Sequence, residues 1–310
     1  MTPPAPGHRL GVEHLTKRYG DHTVVDDLTF DVPPGRVTGF LGPNGSGKST
    51  TMKIVLDLAA ADGGRARIGG HRYRELPEPS RTVGALIETD AFHPGRSGRN
   101  HLRVLADATG VDQRRVDAVL DEVGLADAAD RRAGAYSLGM RQRLGLAAAL
   151  LGEPPVLILD EPGNGLDPQG IRTLRNLLRD RAARGGTVFV SSHLLAEIEH
   201  LADDVVVIDQ GRLIAHGPLA ELRRASMLVR SSDASGLARV LEAAGATTET
   251  EGTDGLIVSG MESDEIGDRA FAGGIAVHEL TRRAGSLEEL FLDWTAHASA
   301  DQPSAAEDPA

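Results

Sequence analysis

A glycine-rich nonapeptide, two adjacent carboxylates and a histidine have the types and spacing to do chemistry. The nonapeptide is Gly42-Pro43-Asn44-Gly45-Ser46-Gly47-Lys48-Ser49-Thr50, which fits G-x-x-x-x-G-K-[ST]. Glycines let the backbone curl until successive N–H groups face one anion, and a helix N-terminus completes the nest. Lys48 can then reach the β- and γ-phosphates of a nucleotide, and the Ser49 hydroxyl can ligate Mg²⁺. The same Gly-Pro-Asn-Gly run is also good turn chemistry, so its surroundings must decide. Of 33 basic residues three are lysine, Lys17, Lys48 and Lys53. In a chain that otherwise spells positive charge as arginine, a lysine at the motif position points to a need for a compact ammonium.

The carboxylates are Asp160 and Glu161, directly after the apolar run Val156-Leu157-Ile158-Leu159. Beside a phosphate loop they suit different tasks, Asp160 as a Mg²⁺ ligand and Glu161 as the group that polarises an attacking water. His193 follows the apolar run Thr187–Val190. Ser137 opens a helical stretch and reads as its cap, and a helix N-terminus with a free hydroxyl is also a ready phosphate site.

The elements that must hold these residues can be read from periodicity. Val37–Leu41 reads as a short buried strand, and Met52, Val55, Leu56 and Ala59 recur at helical spacing behind the nonapeptide. Strand, glycine loop and helix are the setting the motif needs. The runs at 156–159 and 187–190 read as parallel strands buried on both faces, whose C-terminal ends are where ligands sit in open α/β sheets. Leu10, Val12 and His14, then Leu28, Phe30 and Val32, read as strands. Residues 66–90 hold further short strands, including Val83–Ile87. Residues 98–133 read as helical, broken by Gly110 and Gly124, and the segment from Ser137 to Leu151 as another helix. Gly165-Leu166-Asp167-Pro168 turns into a helix over Gln169–Ala183, and Val205–Ile208 with Leu213–Ala215 form a hairpin around Asp209-Gln210-Gly211. Tyr19, just before a turn, reads equally as a core aromatic or as a platform for a nucleobase.

Beyond about residue 225 the composition shifts. Strands over Met227–Arg230, Gly255–Ser259 and Ile275–Leu280, helices over Leu237–Ala243 and Glu262–Ala270, and a last helix over Ser286–Trp294 make a small α+β appendage. Ala296–Ala310 is polar and small-residue, the composition of a disordered tail. Over the whole chain of 310 residues, 40% are hydrophobic and 25% charged, ordinary for a soluble globular protein. No run reaches the ~18–20 apolar residues that span a bilayer, and Met1–His8 has no secretory apolar core. Zero cysteines rule out a disulfide framework and thiolate metal sites. A net charge of −12 argues against binding nucleic acid through phosphate neutralisation, and 3% aromatics leaves few stacking platforms. These features lead us to expect a cytoplasmic protein.

Together these motifs, in this order, resemble the ATP-binding cassette ATPases, in particular the nucleotide-binding subunit of an ABC transporter. The resemblance covers residues 9–222. Gly42–Thr50 is similar to Walker A, Leu157–Glu161 to Walker B with its catalytic glutamate, and Gly165-Leu166-Asp167 to the D-loop. His193 resembles the switch histidine and Tyr19 the aromatic that stacks on adenine. Ser137-Leu138-Gly139-Met140-Arg141 stands in the place of the signature motif, usually Leu-Ser-Gly-Gly-Gln. Ser137 and Gly139, the positions that face phosphate, are kept. Glu88 stands where the family usually has the Q-loop glutamine, near the metal. Both variants, and the appendage, resemble the drug- and peptide-antibiotic-exporting subgroup.

The resemblance implies a P-loop NTPase fold: a RecA-like core, an antiparallel β subdomain and a helical subdomain over about 91–150, with the appendage over 226–295. It implies ATP and Mg²⁺, with Glu161 and His193 catalytic and Ser49, Asp160 and Glu88 at the metal. Tyr19, residues 42–50, Ser137, Gly139 and Asp167 would hold nucleotide. It further implies a head-to-tail dimer in which each ATP lies between Lys48 of one copy and Ser137 of the other. A separate membrane permease would dock near Glu88 and Phe92 on the inner face of a bacterial plasma membrane, and that permease would see the cargo. The competing readings are a soluble cassette ATPase acting on ribosomes or DNA, and an importer ATPase. The appendage also reads as a regulatory or dimer-stabilising module.

Overall fold

The computed structural model describes residues 8–87, 91–222, 225–284, 287–288 and 290–291. The chain divides at Pro218/Leu219 into two compact units. In the first, β1 (Leu10–Tyr19) and β2 (His22–Val32) form a hairpin, β3 (Val37–Leu41) leads into the glycine-rich loop, and α1 (Lys48–Val55) follows it. After β4 (Gly63–Ile68) come the single turn α2 (Pro79–Thr82) and β5 (Val83–Leu86). Helices α3 (Gly98–Thr109), α4 (Arg114–Glu122) and α5 (Leu138–Leu150) then intervene before β6 (Val156–Leu159). The chain crosses through α6 (Pro168–Ala183) to β7 (Thr187–Ser192), and after α7 (Leu195–Glu199) come β8 (Asp204–Asp209) and β9 (Arg212–Pro218).

Every residue of β3, β6 and β7 is buried, as unbroken apolar runs demand of strands covered on both faces. They lie in a six-stranded sheet of order β5-β6-β7-β3-β8-β9, parallel except for β9. The register pairs Leu41 with Ser192 and Leu159 with Val190. The residues that follow β3, β6 and β7 therefore emerge side by side at one carboxyl edge, which gathers residues 42, 160 and 193.

A second, antiparallel sheet has the order β2-β1-β4. Its strands are longer than the alternation suggested, because irregularities in register carry the pairing on to Tyr19↔His22. His14, expected in a regular strand, has φ 50°, and its ring meets the Asp27 carboxylate at 2.8 Å. Phe30 of β2 packs on Phe40 of β3 and Phe189 of β7, with centroids 5.5 and 5.7 Å apart, and so joins the two sheets. Aromatic contacts of this kind contribute about 0.5–1.5 kcal/mol beyond burial.

Between the strands, Ser97 caps α3 by accepting from the Asn100 N–H, and Gly110 at φ 66° ends it. Leu102, Ala106, Val116, Val119 and Leu120 turn inward, with Leu144 of α5 also buried. The helical spacing over 98–133 gives α3 and α4, and its last part forms short 3-10 turns at Ala126–Ala128 and Ala133–Ala135.

The second unit begins with α8 (Leu219–Leu222), followed by β10 (Ala225–Ser231), α9 (Ala234–Glu242), β11 (Thr247–Glu251), β12 (Gly255–Ser259), α10 (Ser263–Ala272) and β13 (Val277–Ala284). The antiparallel order β11-β12-β10-β13 is the ferredoxin-like β-α-β-β-α-β arrangement. Met227, Val229, Leu256 and Val258 pack with Leu237, Leu241 and Ile266 of the helices. The sequence reading lacks β11 because Thr-Thr-Glu-Thr-Glu carries no apolar alternation. It is an edge strand held by backbone pairing to β12. Apart from 287–288 and 290–291, the helix expected over 286–294 lies outside the described residues, as does the tail over 296–310.

Candidate nucleotide site

The loop after β3 is held by backbone geometry. A Cβ on Gly42 would stand 2.3 Å from the Ile208 carbonyl, and one on Gly47, at φ 104°, 2.6 Å from the Val24 carbonyl. Glycine is required at both places by close approach. Pro43, Asn44 and Gly45 are exposed at the tip, while Ser46, Gly47 and Lys48 are buried. Gly47 caps α1 with no side-chain bond, so the first N–H groups of the helix are not taken by a cap side chain. Thr51, one turn in, donates from both its N–H and its hydroxyl to the Gly47 carbonyl at 2.9 Å. Ser49 is exposed and Thr50 half-buried.

Lys48 is 6% exposed, and its Nζ donates to the carbonyls of Gly42 at 2.7 Å and Pro43 at 3.1 Å. Burial pushes its pKa below the ordinary lysine value, and the carboxylates of Glu161 and Asp160 partly offset that. The ammonium and both acids therefore share one electrostatic neighbourhood, as the sheet register requires.

The carboxylates are wired together from behind. Asp160 donates its N–H to the Leu86 carbonyl at 2.7 Å, and its Oδ1 accepts from Ser191 Oγ at 2.5 Å. Glu161 has φ 49°, in the left-handed region that non-glycine residues rarely adopt. Its N–H donates to Ser191 Oγ at 2.9 Å, and its carbonyl accepts from Gln142 Nε2 at 2.8 Å. Its side-chain Oε2 lies 2.7 Å from Nδ1 of His193. Glu161, His193, Asp160 and Lys48 are thus brought together.

Ser137 and Gly139 lie in a different cleft. Ser137 caps α5 by accepting from the Met140 N–H at 3.3 Å and is exposed, with Gly139 half-buried. With Arg143, Gly165, Leu166 and Asp167 they line an open cleft of about 390 Å³, none of whose walls comes from residues 42–50. The carboxylate of Asp167, expected to meet nucleotide, caps α6 through the Gly170 N–H at 3.0 Å and accepts from Arg143 at 3.1 Å. Leu138, between the two expected phosphate contacts, is exposed. Tyr19 is 55% exposed, with the Lys17 ammonium 5.0 Å from its ring centroid. The ring is therefore a surface side chain and not a core one. Glu88 lies outside the described residues.

A family model described as "ABC transporter" matches residues 25–164, and a model for a domain of unknown function matches 225–288. The chain is 38% identical to the bacitracin transport ATP-binding protein BcrA of Enterococcus faecalis, over 91% of this chain and 94% of that one. It is 33% identical to the daunorubicin/doxorubicin resistance ATP-binding protein DrrA of Streptomyces peucetius, over 96% of this chain and 95% of that one. The chain belongs to the ABC transporter ATP-binding family.

A solved ATP-binding subunit of an ABC transporter, 34% identical, superposes with a TM-score of 0.64 over 69% of this chain and 91% of that one. The fold is the P-loop NTPase cassette of that family, the nucleotide is ATP, and the activity is its hydrolysis. ATP-binding subunits of this family dimerise and work with separate membrane permeases. No helix among the described residues is long and apolar enough to cross a membrane.

The donor set suits Mg²⁺ arriving with phosphates. Among the described residues no three His, Asp or Glu side chains converge as a metal cage. The cassette offers hard oxygens instead, the exposed Ser49 hydroxyl and the Asp160 carboxylate. Mg²⁺ is commonly held by one or two carboxylates plus substrate phosphates.

Besides Ser191, two supports of the site carry no sequence motif. Gly211, read as a hairpin turn, donates its N–H to the Ser46 carbonyl at 3.0 Å and accepts from the Asp26 N–H at 2.9 Å, so the β8–β9 turn buttresses the phosphate loop. Gln142, on the buried side of α5, reaches the backbone of Glu161. For Gln142 the available signal was a polar residue at an inward helical position.

Proposed function

We propose that this protein is the ATP-hydrolysing subunit of an exporter, that two copies close around two ATP molecules, and that the cargo is a drug, an antibiotic or a similar small hydrophobic compound. The cargo class rests on the relatives, whose names carry bacitracin transport and daunorubicin/doxorubicin resistance. The dimer rests on one observation. Lys48, Asp160, Glu161 and His193 gather at one place, while Ser137 and Gly139 open into a separate cleft of the same chain. A second copy is what supplies Ser137 and the α5 N-terminus to the phosphates at Lys48.

In this reading the loop N–H groups and Lys48 bind the β- and γ-phosphates, and Tyr19 stacks on adenine. Ser49 and Asp160 would hold Mg²⁺, which would neutralise phosphate charge. Glu161 accepts a proton from the attacking water, and His193 fixes the orientation of its carboxylate. The cassette spans 9–222 on the cytoplasmic side of the membrane, and the ferredoxin-like unit is an accessory domain. Acidity with few aromatics makes nucleic acid a poor partner.

The test is expression together with the neighbouring genes of its own locus in a sensitive bacterium. Resistance to bacitracin or an anthracycline that is lost on Glu161→Gln supports the exporter. Unchanged sensitivity to these compounds, with the chain sedimenting on ribosomes, would overturn it.

A further inference from the structure

Ser191 is fully buried at the carboxyl end of β7. Its hydroxyl has one proton and two lone pairs, so its two contacts fix their own polarity. The proton goes to Asp160 Oδ1, at 2.5 Å, because a carboxylate only accepts. A lone pair takes the Glu161 N–H, at 2.9 Å, because an amide nitrogen only donates. One oxygen atom thus joins the carboxylate proposed for Mg²⁺ to the backbone of the proposed general base.

We propose that Ser191 is a positioning residue for ATP hydrolysis, setting the Asp160 carboxylate and the Glu161 backbone relative to each other. The inference rests on the roles given above to Asp160 and Glu161. With Oδ1 held by Ser191, the orientation of the Asp160 carboxylate is fixed. With its N–H anchored, Glu161 keeps φ 49°, a conformation that needs support from its surroundings. Gln142 holds the other side of the same residue through its carbonyl. Without the Ser191 hydroxyl, the part-buried Glu161 N–H loses its acceptor and the Asp160 carboxylate is free to rotate. The His193 bond is to the side chain of Glu161, so it does not substitute for either of these bonds.

The experiment compares Ser191→Thr with Ser191→Val, which have similar volume and differ by the hydroxyl. Ser191 borders a cavity of about 180 Å³ together with Pro162, Gly163 and Ile198, and β-branched residues suit a strand. Two quantities are read: kcat in the wild-type background, and the Mg²⁺ concentration that half-saturates the ATP-induced thermal shift in a Glu161→Gln background, where turnover does not interfere. We expect Thr to behave as wild type. Val should lower kcat by about 10–100-fold, and raise the half-saturating Mg²⁺ by a similar factor, the usual cost of losing a bond that orients a metal ligand. Affinity for ATP in chelator, which does not use Asp160, should be unchanged.

A Val variant within about twofold of wild type in both quantities overturns the proposal, as does a Thr variant as impaired as Val. Should Val fail to fold, Ser191→Ala carries the same comparison. If Lys48→Ala and Glu161→Gln hydrolyse ATP normally, the site itself is misassigned. If those two are impaired and Ser191→Val is not, only the role of Ser191 falls.

Discussion

Lys48→Ala isolates the charge that the phosphate loop offers to the terminal phosphates. Its Nζ bonds to the carbonyls of Gly42 and Pro43, and its burial is unfavourable enough to lower its pKa. Removing the side chain therefore loses two hydrogen bonds and relieves one buried charge, and the melting temperature should change little. Binding should change a great deal. An ammonium about 4 Å from a phosphate charge, at an effective dielectric constant of about 20, contributes roughly 4 kcal/mol. At about 1.4 kcal/mol per tenfold, that is nearly three powers of ten in Kd. Without the lysine, Asp160 and Glu161 also face the phosphates uncompensated, which adds to the loss. Calorimetry in chelator with ATP, ADP and AMP separates the contributions. ATP and ADP should weaken by about a thousandfold and AMP, which lacks the contacted phosphates, should not. An ATP affinity within about threefold of wild type, or an equal loss for AMP, would refute the assignment of Lys48 to the β- and γ-phosphates.

Other outcomes follow from the same geometry. Tyr19→Ala should weaken ATP binding by about 1–3 kcal/mol, the range for loss of one base–aromatic stack, with kcat at saturating ATP unchanged; fluorescence titration against an adenine-free triphosphate checks it. Glu161→Gln should keep its bond to His193 through the amide, and steady-state assays should show kcat about 100- to 10,000-fold lower, the range for loss of a general base. His101 is buried beside Phe92, and burial first, then Arg96, pushes its pKa below the ordinary value. The unfolded chain therefore binds the proton more readily, and stability contributed by neutral His101 is lost as pH falls below about 6.5. Melting curves at about pH 7.5 and 5.5 should show a larger drop for wild type than for His101→Gln.

The loop, the buried strands and the caps were legible because each is dictated locally. Gly42 and Lys48 follow from a motif, Val156–Leu159 from an unbroken apolar run, and Ser137 from its place before a helix. The register of β3, β6 and β7 then brings Lys48, Asp160 and His193 to one edge without further information. Contacts between residues distant in the chain were not legible. Nothing in Gln210-Gly211 says that the turn lies under Ser46, and nothing in Ser191 says that its hydroxyl reaches both carboxylate residues. Asp167 also has a local role that its motif does not announce: its carboxylate caps α6 and accepts from Arg143. β11 was missed because edge strands are held by backbone pairing more than by side-chain pattern.

The division of the site between two clefts is the centre of the proposed function, and the mass of the Glu161→Gln variant in solution tests it most directly. By light scattering coupled to size exclusion, the variant should be monomeric without nucleotide and dimeric with ATP and Mg²⁺. Adding Ser137→Ala should weaken that dimer while each chain still binds ATP. An ATP-bound species that remains monomeric at every concentration, or a dimer indifferent to both ATP and Ser137, would contradict it.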